Sequence, residues 1–193
     1  MIIEWKKIYD LYIIKSKIFN FHSKKLTCKP KEENSLTMPK DEELEKFIQK
    51  LQDQILEEAK KRYSKTVIEH WRNPRNFRKI ENPDGYAKVK GVCGDTMEMF
   101  LTIKDGKILD CSFLTDGCAT TIACGSMATE IAHKKSFTEA LALVSADSIL
   151  RRLGGLPEED VHCAHLAAET MRRALADYLA QRQAPWKKYY RNT

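Results

Sequence analysis

Three cysteines and their immediate neighbours carry the chemistry legible in this chain. Cys93 sits in GVCGD, directly before Gly94 and Asp95; Cys118 closes the triplet DGC; Cys163 follows His162 in VHC. Cys118 lies 25 residues after Cys93, and Cys163 another 45 residues on, so only tertiary structure could bring them together. Zinc fingers and ferredoxins collect their ligands in tight C-x-x-C runs, and none exists here. Each thiol taken alone reads as a buried structural cysteine. Taken together with Asp95 and His162, they read as a set of metal ligands. Thiolates are soft donors that select iron–sulfur clusters or zinc. A lasting cluster normally has four thiolates, so three with a carboxylate or imidazole suit a cluster that has to leave. The same donors also fit tetrahedral zinc. Plainer uses exist for the two neighbours: Asp95 as a turn residue, His162 as a satisfied ring at a helix start.

The elements that must position these residues follow from periodicity. YAKVKGV, MEMFLTI and ILDCSFLT alternate or run apolar, and KDGK at 104–107 is a hairpin signal, which predicts a three-stranded antiparallel sheet over roughly 86–115. Cys93 then falls in the turn between the first two strands. After DGC the pattern becomes helical through TTIACGSMATEIAHK, SFTEALALV and SADSILRRL, and Gly154 and Gly155 end the series. A last helix carries an apolar stripe of Cys163, Leu166, Ala167, Met171, Ala174, Leu175 and Tyr178. Cys118 and Cys163 thus sit where helices begin, and free N–H groups and the helix dipole there favour a thiolate. Strands followed by helices predict an α+β fold, the sheet packed against several helices on one face.

Upstream, Leu44, Ile48, Leu51 and Ile55 step along one face of an N-terminal helical extension at 38–62, and YSKTVIEHW forms a second helical piece that Pro74 stops. The expected organisation is a basic, poorly ordered arm at 1–37, the extension at 38–62, one domain at 63–182 and a tail at 183–193. A natural start is expected near Met38. Cys28 in the arm reads as incidental, and Cys111, which alternates with Phe113, as core. Cys124 reads as a packing residue or a spare thiol beside the site, and His70, His133 and His165 as helix-surface or core residues.

Charge excludes one class of function. The net +6 belongs to residues 1–31, which hold eight Lys against Glu4 and Asp10; the rest is balanced at 25 basic and 25 acidic residues. The domain has no excess to draw nucleic acid. No apolar run is long enough to span a bilayer, and the start lacks the apolar core and cleavage site of a secretion signal. A cytoplasmic protein with reduced thiols is expected.

From about Tyr63 to Gln181 the chain resembles the IscU/NifU-type iron–sulfur cluster assembly scaffolds. The resemblance rests on YSKTVIEHWRNPRN, GVCGDTMEMFLTIKDGKI, FLTDGCATTIACGSMATE and LPEEDVHCAHLAAETMRRALADY. It implies a scaffold, not an enzyme in the ordinary sense. Cys93, Cys118 and Cys163 would accept sulfur from a cysteine desulfurase and build a [2Fe-2S] cluster for apo iron–sulfur acceptor proteins. Asp95 would keep that cluster labile, and His162 would be a supplementary ligand. An iron donor, possible zinc in the empty form, and a monomer or homodimer are further implications. One departure stands out: the loop before the last helix reads LPEED, with Asp160 where the family has a lysine. That reversal of charge counts against recruitment of a DnaK-type chaperone. With His162 and no long insertion between the second and third cysteines, the chain sides with IscU over the related SufU, whose alternative reading is a zinc-dependent sulfurtransferase.

Overall fold

Alternation between strong turn signals produces the sheet. β1 (Gly85–Lys90), β2 (Thr96–Lys104) and β3 (Lys107–Thr115) form one antiparallel sheet in the order β1-β2-β3. The β2–β3 turn is made by Asp105 and Gly106, both at positive φ (52° and 74°), the two-residue turn whose twist matches its flanking strands. The register aligns Ala87, Met99 and Phe113 across the strands, and likewise Gly85, Leu101 and Cys111. All six are buried on one face. The structure, a computed structural model, describes residues 41–183. The expected arm at 1–37, with Cys28, Met38 and the tail beyond Gln183 lie outside the described residues.

Helices supply the second layer. In chain order they are α1 (Asp41–Arg62), α2 (Lys65–Arg72), α3 (Ala119–Ala132), α4 (Phe137–Leu143), α5 (Ala146–Leu153) and α6 (Val161–Gln183), with a 3-10 turn at Glu158–Asp160. The anticipated α+β architecture and its three-stranded sheet are therefore the ones observed. α6 crosses β1 so closely at Gly85 that a Cβ there would stand 2.5 Å from the Ala174 carbonyl oxygen. α3 crosses β3 at Gly125, where a Cβ would stand 2.5 Å from the Phe113 ring. Every residue of α3 except Ala119 and Glu130 is buried, the composition of a helix enclosed on all sides. Cys111 and Cys124 are both fully buried, and burial pushes both thiols up. Contacts divide the chain after Lys61, so α1 is described by itself: a helix with Phe47 and Leu51 exposed and i,i+3 pairs Glu57–Lys60 and Glu58–Lys61 on its surface. Among the described residues no helix is long and apolar enough to cross a membrane.

α2 is fastened to α3 by a buried imidazole. Ser64 caps α2 by accepting from Val67 N–H at 3.1 Å, and His70, on its last turn, places Nδ1 2.8 Å from Ser126 Oγ on α3. The Arg75 guanidinium lies 3.3 Å from His70 Nε2 and is itself held by Glu69 and Glu130. With that donor facing Nε2, the ring is neutral and Nδ1–H donates to Ser126. Burial lowers the His70 pKa below its usual 6.5, Arg75 lowers it further, and Glu130 and Glu69 oppose. Since the folded value lies below the unfolded one, the unfolded chain binds the proton first. Stability is then present above pH 6.5 and falls as the pH drops below it. Denaturant midpoints at pH 7.5 and pH 5.5 should show this loss, and His70→Asn should shrink it. An unchanged pH slope in that variant would remove His70 from the effect.

Candidate metal centre

The β1–β2 turn closes with Gly91 N–H donating to Asp95 O at 2.8 Å and Gly94 N–H to Gly91 O at 3.1 Å. Gly94 adopts a φ of 93°, a conformation costly for any residue with a Cβ. That twist exposes Cys93 and leaves Asp95 half-buried behind it. Partial desolvation raises the Cys93 thiol; the Asp95 amide opposes this, and the Asp95 carboxylate raises it again.

Asp95 reaches from the turn to the start of α3. Its Oδ2 accepts the Thr121 hydroxyl at 2.9 Å and the Cys118 N–H at 3.3 Å. Cys118, the N-cap residue, makes no side-chain cap of its own, so Asp95 caps the helix from another element. Negative charge is favoured at this end of a helix. Gly117 makes the approach possible: a Cβ there would stand 2.6 Å from Asp95 Oδ2 and 2.7 Å from Thr121 Cγ2. Strand ends fix the frame beneath, with Thr115 Oγ1 donating to Thr96 O at 2.7 Å and receiving Gly117 N–H at 3.1 Å.

Cys163, buried on the first turn of α6, meets Cys118 across two hydroxyls. Thr120 Oγ1 lies 2.9 Å from Cys118 Sγ and 3.5 Å from Cys163 Sγ. Thr121 Oγ1 lies 3.2 Å from Cys163 Sγ and 3.4 Å from Cys118 Sγ. Cys118 is the more acidic of the pair: a hydrogen bond from the Cys163 thiol lowers its pKa against burial, and the Thr120 hydroxyl and the Thr121 N–H add to the effect. Cys163, whose proton is spent on that bond and whose surroundings are buried, is pushed up. A helix start was expected to favour thiolate at both positions. The pKa falls at Cys118, first through its hydrogen bond with Cys163, and rises at Cys163, first through the same bond and then through burial.

His162 stands at the rim, Nε2 3.5 Å from Cys163 Sγ. Just before it, Asp160 accepts the Tyr63 hydroxyl at 2.8 Å, and Glu159 pairs with Arg62. The acid at position 160 is thus held by a phenol, and burial followed by that bond raises the Tyr63 pKa.

The structure links Asp95, Cys118, Cys163 and His162 in one hydrogen-bonded chain and sets Cys93 against Asp95. It does not gather them round a common point: among the described residues no group of three or more His, Cys, Asp or Glu stands ready to hold a metal ion. Threonine hydroxyls occupy the space between the donors. Thr120, Thr121 and Gly117 escaped the sequence reading, which weighed only thiols, carboxylates and imidazoles. One signal was available: two hydroxyls in the first turn after Cys118, where helical side chains lean back toward the N-terminus.

Known proteins share this arrangement of sequence. Residues 62–185 match the NifU-like N terminal domain. The chain is 48% identical over 117 residues to the iron–sulfur cluster assembly scaffold protein IscU 1 of Archaeoglobus fulgidus, covering 60% of this chain and 76% of that protein. It is 39% identical over 127 residues to the scaffold protein IscU of Escherichia coli K12, covering 63% of this chain and 98% of the relative. A Drosophila melanogaster relative, 39% identical over 126 residues (63% of this chain, 80% of that protein), is called an iron–sulfur cluster assembly enzyme. The crystal structure of a NifU-like N-terminal protein from Brucella abortus shares the fold, with a TM-score of 0.50 at 19% identity over 61% of this chain and 94% of that one. This chain belongs to the NifU-like N-terminal domain family.

Proposed function

We propose that the protein is an iron–sulfur scaffold on which a [2Fe-2S] cluster is built and from which it is handed to apo-proteins. Its support is the meeting of Cys118 and Cys163, 45 residues apart in sequence, over Thr120 and Thr121 at the helix end that Asp95 caps. In this reading Cys93, Cys118 and Cys163 are thiolate ligands and sulfur acceptors, Asp95 is a further ligand and His162 an auxiliary one. The donor set fits the cargo: soft thiolates for iron, beside a carboxylate at a solvent-facing turn. Partners are a cysteine desulfurase, an iron donor and apo iron–sulfur acceptors. The scaffold is a carrier, since carbon–sulfur cleavage belongs to the desulfurase.

Sulfur arrives as a persulfide, and exchange onto a scaffold thiol breaks one S–S bond and forms another. Releasing sulfide from that persulfide takes two electrons from a thiol or redox-protein donor and restores the cysteine. The cluster then leaves intact, acceptor thiols giving up protons as scaffold thiolates recover them. Anaerobic incubation with iron, cysteine and a desulfurase tests the reading. A visible chromophore that moves to an apo-ferredoxin is the expected result. A colourless protein retaining zinc stoichiometrically would instead make it a zinc-dependent sulfurtransferase.

Asp95 carries the next expectation. Its carboxylate is a harder, more exchangeable donor than a thiolate, and it adds negative charge beside the thiolates. Asp95→Ala removes both effects, while Gly94 still supplies the turn. The variant should hold its cluster longer and pass it on more slowly, followed by visible circular dichroism under argon. Release at the parental rate would reduce Asp95 to a turn and capping residue.

A further inference from the structure

Among the described residues, Thr121 is the one side chain within hydrogen-bond distance of Asp95, Cys118 and Cys163 together. Its hydroxyl has a single hydrogen. Of the three acceptors the carboxylate is nearest, at 2.9 Å against 3.2 and 3.4 Å for the sulfurs, and a carboxylate is the stronger acceptor. The hydrogen therefore goes to Asp95 Oδ2. The Cys118 N–H takes the same Oδ2, so one carboxylate oxygen is tied to α3 and the other is left to the turn that carries Cys93. Gly117 seals the contact from below: Asp95 Oδ2 and Thr121 Cβ lie within 2.6 and 2.8 Å of where a Cβ would stand. Any residue with a Cβ at 117 would force one of the two groups to shift.

Resting on the scaffold reading above, we propose that Thr121 is a positioning residue that aims Asp95: it holds Oδ2 on the start of α3 so that the other oxygen faces bound iron. Ligating carboxylates are oriented by such outer partners, whose loss typically shifts binding or activity about 10–100-fold. Thr121 acts through Asp95, and its removal should reproduce the loss of Asp95 in direction.

The test is a double-mutant cycle on reconstituted, cluster-loaded protein, reading the rate of cluster transfer to apo-ferredoxin by visible circular dichroism. Thr121→Val keeps the shape and deletes the hydroxyl; it should slow transfer about tenfold, at the low end of outer-partner effects. Thr121→Ser restores the donor and should restore the parental rate. Added to Asp95→Ala, Thr121→Val should change the rate no further. Thermal unfolding of the apo-proteins supplies the control, because a role in packing alone would lower stability in Thr121→Val and leave the cycle additive. A Thr121→Val protein that transfers at the parental rate, or one whose effect persists in full without Asp95, overturns the proposal while leaving the scaffold reading intact. A parent that builds no cluster overturns both.

Discussion

Serine at Cys118 or Cys163 is expected to leave a folded protein that builds no cluster. The exchange replaces a soft thiolate by a poor, hard donor. It also removes the Cys118–Cys163 interaction that lowers the Cys118 pKa. Cys111→Ser is the informative contrast. Cys111 is fully buried on the sheet face under the helices. A buried hydroxyl without a partner costs about 1–3 kcal/mol, so this variant should unfold earlier yet load normally where it is folded. Iron and sulfide content after anaerobic reconstitution, set beside the unfolding midpoint, separates the two outcomes. A normal cluster in Cys118→Ser, with none in Cys111→Ser, would reverse the assignment of ligand and core.

The second large effect concerns the layer that holds the site. Gly125→Ala should destabilise the protein by about 1–3 kcal/mol, the usual cost of overfilling a packed core. The added methyl would stand 2.5 Å from two carbons of the Phe113 ring. Phe77 packs edge-on against that ring with centroids 5.2 Å apart, which blocks its retreat on that side. In denaturant unfolding the midpoint should fall with the slope unchanged. Phe113→Leu makes room, so the double variant should lose less than the two single losses combined. Strict additivity would mean that Gly125 matters for reasons other than the ring above it.

Much of this was legible in the residues. The sheet could be read because its buried face repeats every second residue from Ala87 to Phe113 and because Asp105-Gly106 is a turn few alternatives can imitate. Pro74 and Gly154 marked helix ends by local backbone chemistry. The thiols at Cys93, Cys118 and Cys163 could be picked out by type and by their places at element edges. What the sequence concealed depends on close approach between segments far apart. Thr121 matters because Asp95, 26 residues earlier, reaches its hydroxyl. Gly117 matters because that reach crosses directly over it. The raised pKa of Cys163 has a related cause. A helix start is a local rule, whereas burial and the neighbouring Cys118 are imposed by the fold.

The burial of α3 on all sides has a kinetic consequence. Amides of an enclosed helix exchange with solvent only when most of the structure opens, whereas those of an exposed turn exchange through small local openings. Cys118 is therefore expected at the margin of a slow-exchanging segment, and Cys93 on a faster one at residues 91–95. A cargo bridging both would be fastened at one side and reachable at the other. Departure would then begin at the Cys93 edge, on the timescale of a loop opening, without waiting for the helical layer to unfold.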